Sequence, residues 1–271
     1  MMKLEVARPV AALGDCVRYF QQREACIAGS ALVYPIAARP AHILEFYLQQ
    51  RYVVRLCQSG EPDIVPRAVV VGPSTHRRAD LVLHGRFQVF TIHFQAAGFH
   101  RLFRVPMGEL VDRAYDARSV VGVAAAEIEQ KLAEASGFRQ RVSAATEFLL
   151  LQQRRERPPF DPIAVIANRL LLERGTLRVV DAATCAGLSV RQFERRFVEQ
   201  VGLPPKIFAA IVRFDAALDA KLGTPARLWT DIAHEFGYYD QMHMVHDFKR
   251  FAGESPTIFT KRIQAMAEPW G

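Results

Sequence analysis

Hydrophobic positions fall into two textures along the chain. Over residues 42–48, 52–56, 68–71, 81–83 and 87–94 they come as short runs rich in β-branched and aromatic side chains, broken by Gly, Pro and Ser. Such runs predict short strands of a compact sandwich or barrel. After Gln95 the period lengthens. Phe99 and Leu102 open a helix, and residues 121–134 and 138–153 predict two more, parted by Gly137. In the first of these two, Val121, Ala124, Ala125, Ile128 and Leu132 form one stripe, which must either pack on its own domain or pair across a twofold axis. The polar, proline-ended run 152–159 predicts an exposed joint, with the linker itself at 154–159.

The C-terminal half repeats itself. Phe193, Phe197, Gly202, Pro205 and Phe208 recur as Met244, Phe248, Gly253, Pro256 and Phe259, each 51 residues on. Upstream, Val179, Ala182, Ala183, Ala186 and Gly187 match Trp229, Ile232, Ala233, Phe236 and Gly237 at an offset of 50. One residue has therefore been inserted after the glycine, at a turn where a repeat tolerates it. Each copy begins with an amphipathic helix, apolar at i, i+3, i+4 and i+7. A glycine suited to a left-handed turn follows, then a cap residue, Ser189 or Asp240, and a second helix. That layout is the helix-turn-helix unit. Asp161 and Pro162 start a preceding helix that ends by Gly175, and a helix over about 205–221 joins the copies.

In such a unit the second helix presents its N-terminal residues to the major groove. The second helices are expected at about 189–201 and 240–252. With Phe193 and Phe197 turned to the core, the outward residues of the first are Val190, Arg191, Glu194 and Arg195. Those of the second are Gln241, Met242, Val245, His246 and Lys249. Arginine can pair with guanine, glutamate can accept from cytosine, and glutamine can read adenine. Arg196 and Arg213 suit either phosphates or ion pairs within the domain.

Three stretches carry a family resemblance: Gly187-Leu-Ser-Val-Arg-Gln-Phe-Glu-Arg-Arg-Phe197, Ile232-Ala-His-Glu-Phe-Gly-Tyr-Tyr-Asp-Gln241 and Phe248-Lys-Arg-Phe-Ala-Gly-Glu-Ser-Pro256. Residues 160–263 resemble the DNA-binding domain of the AraC/XylS transcription regulators. The resemblance implies double-stranded promoter DNA read in two successive major grooves, usually with activation and hence RNA polymerase as a partner. His246 departs from the family, which often has arginine there. Residues 71–75, 94–98 and 102–112 more loosely resemble the sensor-like N-terminal domains of one AraC branch. This likeness implies a cupin-like sandwich that takes a small-molecule effector or mediates dimerisation. The fold class expected is thus α+β: a cupin-like β-sandwich or barrel with flanking helices over 1–153, a linker at 154–159, and an all-α tandem helix-turn-helix domain over 160–271.

Composition adds constraints. The net charge of +7 invites a nucleic-acid partner. Yet residues 1–159 hold 21 Lys and Arg against 15 Asp and Glu, and residues 160–262 hold 14 against 12. The excess lies mostly outside the repeats, so charge alone does not locate the DNA-binding part. No apolar run is long enough to span a bilayer, and the N-terminus lacks a signal peptide's apolar core, which predicts a cytoplasmic protein. The four cysteines, Cys16, Cys26, Cys57 and Cys185, form no Cys-x-x-Cys pair and read as free thiols. His76, His84, His93 and His100, with Glu45, are the residues a metal-binding or catalytic sandwich would use, the alternative reading. No His-x-His, phosphate-binding glycine loop or nucleophile elbow accompanies them. The expectation is a regulator and no enzyme, with no cofactor and no metal site.

Overall fold

The computed structural model describes residues 3–57, 62–156 and 161–267. Its first half is an antiparallel sheet with β1 (Lys3–Ala7), β2 (Val17–Ile36), β3 (Ile43–Tyr47), β4 (Val53–Leu56), β5 (Pro62–Ile64), β6 (Ala68–Val71), β7 (Ala79–Phe94) and β8 (Ala114–Asp116). The strand order is β1-β2-β7-β3-β6-β8, with β4 on the early part of β7 and β5 on β4. Two long strands, β2 and β7, form the spine and pair from Val17↔Phe94 to Ile36↔Ala79 around an irregularity between Ile27 and Leu32. The expected runs 81–83 and 87–94 are therefore one strand, carried through Gly85 at φ +64°. Alternation along β7 feeds two cores. Phe90, Ile92 and Phe94 face the helices that follow, whereas Phe87 and Val89 pack with Tyr47 and Tyr52 on the other side.

Helices α1 (Gly98–Phe103), α2 (Ala117–Val121), α3 (Val123–Glu134) and α4 (Phe138–Glu156) cover the first of those faces. The helix expected over 121–134 breaks at Gly122. Of its stripe, Ala125, Ile128 and Leu132 are buried in the core of their own domain, so packing inward takes this face from a twofold contact. The joint expected at 154–159 begins as the last turn of α4, and its residues 157–159 lie outside the described residues.

The second half is helical: α5 (Pro162–Leu172), α6 (Val179–Cys185), α7 (Val190–Val201), α8 (Pro205–Gly223), α9 (Trp229–Glu235), α10 (Gln241–Ala252) and α11 (Pro256–Ala267). The chain is thus α+β, a sheet domain followed by a helical one. Phe193, Phe197, Phe208, Phe214, Phe248, Phe251 and Phe259 are fully buried in one core. Each such side chain contributes roughly 1.5–3 kcal/mol by leaving water. Ala37, Ala38, Ala96 and Ala97 of the sheet domain belong to that same core. Among the described residues no helix is long and apolar enough to cross a membrane.

Candidate DNA-binding interface

The two repeats fold alike. Gly187 and Gly237 sit at φ +66° and +68°, a backbone conformation that glycine takes without strain, and turn the chain from α6 to α7 and from α9 to α10. The next residues, Leu188 and Tyr238, donate their N–H to the equivalent carbonyls of Ala183 and Ala233 at 3.0 Å. The residue by which the second copy is longer is therefore Tyr239, and it is 93% exposed. Ser189 caps α7 in a capping box with Gln192: the Gln192 N–H donates to Ser189 Oγ, and the Ser189 N–H donates to Gln192 Oε1. Asp240 caps α10, accepting from the His243 N–H at 2.7 Å.

Opposite faces of α7 and α10 have opposite characters. Phe193, Phe197 and Val201 on α7, and Met244, Phe248 and Phe251 on α10, are buried. Val190, Arg191, Glu194 and Arg195 are exposed, as are Gln241, Met242, His246 and Lys249. Val245 is half-buried. Among the described residues none of the exposed polar ones is engaged in a side-chain hydrogen bond or an ion pair within the chain. Such a row is free to bind outward.

Arg196 forms an ion pair within the domain, whereas Arg213 is held there by a ring contact and a backbone carbonyl. Arg196 donates to Asp161 at 3.0 and 3.1 Å, and Gln200 donates to the same carboxylate at 2.6 Å. Asp161 also caps α5 through the Ile163 N–H, so one carboxylate ties α5 to α7. Arg213 on α8 lies over the Tyr238 ring, 5.0 Å from its centre, and donates to the Gly237 carbonyl at 3.4 Å. Burial pushes the Asp247 carboxyl up from its ordinary value, and burial together with Asp247 does the same to the Tyr238 hydroxyl. These groups hold the second turn against α8.

The sheet domain grips both units at matching places, which no periodicity in the sequence announces. Just after α7, Gly202 lies against Met107 and Val111. His42, fully buried, lies against the Val201 carbonyl without closing a well-formed hydrogen bond, and burial lowers its pKa to about 4. At the end of α10 the Ala38 N–H donates to the Phe251 carbonyl at 2.8 Å, and Arg77 pairs with Glu254 at 3.2 Å. Gly202 and Gly253 are repeat partners, so α7 and α10 both end against the sheet domain.

The residues of the metal or catalytic alternative are scattered. His76 is beside Asp112, His84 is exposed, His93 stacks on Tyr19, and His100 bonds to the Val105 carbonyl. Glu45 faces Arg23 and accepts from the Tyr47 hydroxyl. Among the described residues no group of three or more His, Cys, Asp or Glu is placed to hold a metal ion.

Residues 182–262 match the family model of a helix-turn-helix domain, and residues 6–116 match that of a domain of unknown function (DUF6597). No curated protein matches the chain. Among solved structures, ToxT of Vibrio cholerae O395 is similar at 9% identity and a TM-score of 0.48, over 90% of this chain and 97% of that one. The DNA-binding domain of AdpA, a global transcriptional factor in complex with a target DNA, is similar at 25% identity and a TM-score of 0.37, over 41% of this chain and 100% of that one. The AraC-like transcriptional activator CuxR is similar at 12% identity and a TM-score of 0.25, over 98% of this chain and 87% of that one. The tandem units and the helix-turn-helix match define the class: a DNA-binding transcription regulator. The match places that helix-turn-helix domain over residues 182–262, which hold both repeat-related helices.

Proposed function

We propose that the protein regulates transcription by reading two successive major grooves of promoter DNA with α7 and α10. The observation that carries this reading is the row of exposed, unengaged side chains on two repeat-related helices whose other faces are buried. Arg191 and Arg195 suit guanine, Glu194 suits cytosine, Gln241 suits adenine, and Val190 and Met242 suit a thymine methyl. Lys249 and His246 reach toward phosphate or a base edge, and Tyr239 adds a backbone contact beside the second helix. The units divide at the joint near 154–159, into an N-terminal part, 1–153, and a DNA-binding part, 160–271. The sheet domain modulates binding because its support touches both units, so any shift in it changes how the two helices present themselves together. Activation through RNA polymerase in the cytoplasm is the outcome the AraC resemblance favours.

Selection of duplexes from a randomised pool tests the reading. Arg195→Ala should weaken the selected site by about 1–3 kcal/mol and relax preference at one position. Tyr239→Ala should weaken all duplexes alike. Unchanged selectivity with Arg195→Ala overturns the assignment of α7 as a reading helix.

A further inference from the structure

Between the sheet domain and the helical domain runs a cleft of about 210 Å³, walled on one side by the start of β2 and the segment after it and on the other by α8. It continues into a second, more open hollow along α8 that shares Arg18, Asp215 and Asp219. Four charges line it in opposed pairs. Arg18 and Arg39 belong to the sheet domain, and Asp215 and Asp219 sit one turn apart on α8. Among the described residues none of the four makes an ion pair or a side-chain hydrogen bond, although each arginine is close enough to act on both carboxylates. Burial, with Asp219 adding to it, pushes the Asp215 carboxyl up to about 6, and the two arginines oppose that rise without cancelling it. The rest of the lining is apolar or aromatic: Leu171, Leu218 and Ile263 on the helical side, and the Tyr19–His93 pair, stacked at 4.2 Å, on the sheet side.

Charged groups held this near one another but apart leave a gap that a molecule bearing both charges would bridge. We propose that the cleft binds a small zwitterion with an apolar body, an α-amino acid or a close analogue. Its carboxylate is held by Arg18 and Arg39, its ammonium by Asp215 and Asp219, and its side chain by Leu171, Leu218 and Ile263. Charge-assisted hydrogen bonds of this kind are the strong ones, and arginine suits a carboxylate in particular. A ligand seated there touches both domains and therefore favours the arrangement in which they are docked. This consequence rests on the reading that the sheet domain modulates DNA binding; the binding itself does not.

The test uses the full chain without DNA. L-leucine, L-methionine and L-phenylalanine are the probes, N-acetyl-L-leucine lacks the cation, and isoamylamine lacks the carboxylate. At saturation at least one amino acid should raise the melting temperature by about 5 °C and give a calorimetric binding isotherm, while neither single-charge analogue does. Arg18→Ala and Asp219→Asn, both at exposed positions, should each weaken that binding about tenfold or more. The proposal is overturned if none of the three amino acids shifts the melt, if isoamylamine or N-acetyl-L-leucine binds as well as the parent, or if both variants bind like the parent. Retention of duplex DNA by the unliganded parent protein is read separately, so the loss of this proposal is distinct from the loss of the regulator reading.

Discussion

Replacing Gly202 by alanine probes the grip of the sheet domain on the first helix-turn-helix unit. Gly202 ends α7 at φ +89°. An added Cβ would lie 2.7 Å from the Met107 carbonyl oxygen and 3.1 Å from the Val111 Cγ2 atom. Two other glycines provide the control. Gly187, at φ +66°, has nothing within 4 Å of such a Cβ, and Gly253, its φ +76°, has only the Arg77 Cδ at 3.9 Å. Alanine at either control position bears only the left-handed backbone penalty, about 1–2 kcal/mol. Gly202→Ala bears that and an overpacking cost of about 1–3 kcal/mol, because the atom it meets is backbone of a buried turn. Thermal melts of the three variants should then rank Gly202→Ala lowest, by roughly 2–10 °C below the other two. If Gly202→Ala melts within about 1 °C of both controls, the contact between Met107 and the end of α7 does not hold the domains together.

Two further outcomes follow. Limited trypsin digestion should cut first after Arg154 or Arg155, in the exposed last turn of α4, and release a C-terminal fragment that still binds duplex DNA; a fragment that does not bind refutes the autonomy of residues 160–271. Stability should fall as the pH drops from about 6.5 toward 4. His42 and His93 are held neutral chiefly by burial, with pKa values of about 4 and about 3, while the unfolded chain takes up those protons near 6.5. At about 1.4 kcal/mol per unit, the His42 contribution reaches roughly 3 kcal/mol. Denaturation midpoints of His42→Asn across this range should show a shallower slope than the parent, and equal slopes would contradict the burial argument.

The helical domain was legible because its signals are local and occur twice. Glycine after the first helix, a cap residue and an i, i+4 apolar pair fix each unit, and the shared Gly-x-x-Pro turn fixes the register between them. The sheet domain was legible only in part. Strand β2 escaped because Gln21, Gln22, Arg23 and Glu24 interrupt its apolar alternation. Gln22 is buried nonetheless, accepting from the Arg141 guanidinium at 2.8 Å, and Arg141 also donates to the Leu132 and Ala135 carbonyls. A satisfied buried polar pair looks like surface in a one-dimensional pattern. The supports at Gly202 and Glu254 were not legible, since they join residues far apart in sequence. Asp215 and Asp219 carry no signal in the sequence, and their setting arises only where the sheet domain lies against α8.

Hydroxyl-radical footprinting of the full chain on a selected duplex tests most directly whether both units read DNA. Two protected patches about 10 base pairs apart on one face of the helix are predicted, with the patch under α7 lost in Arg195→Ala and the patch under α10 weakened in Lys249→Ala. A single patch that neither substitution alters would contradict the account.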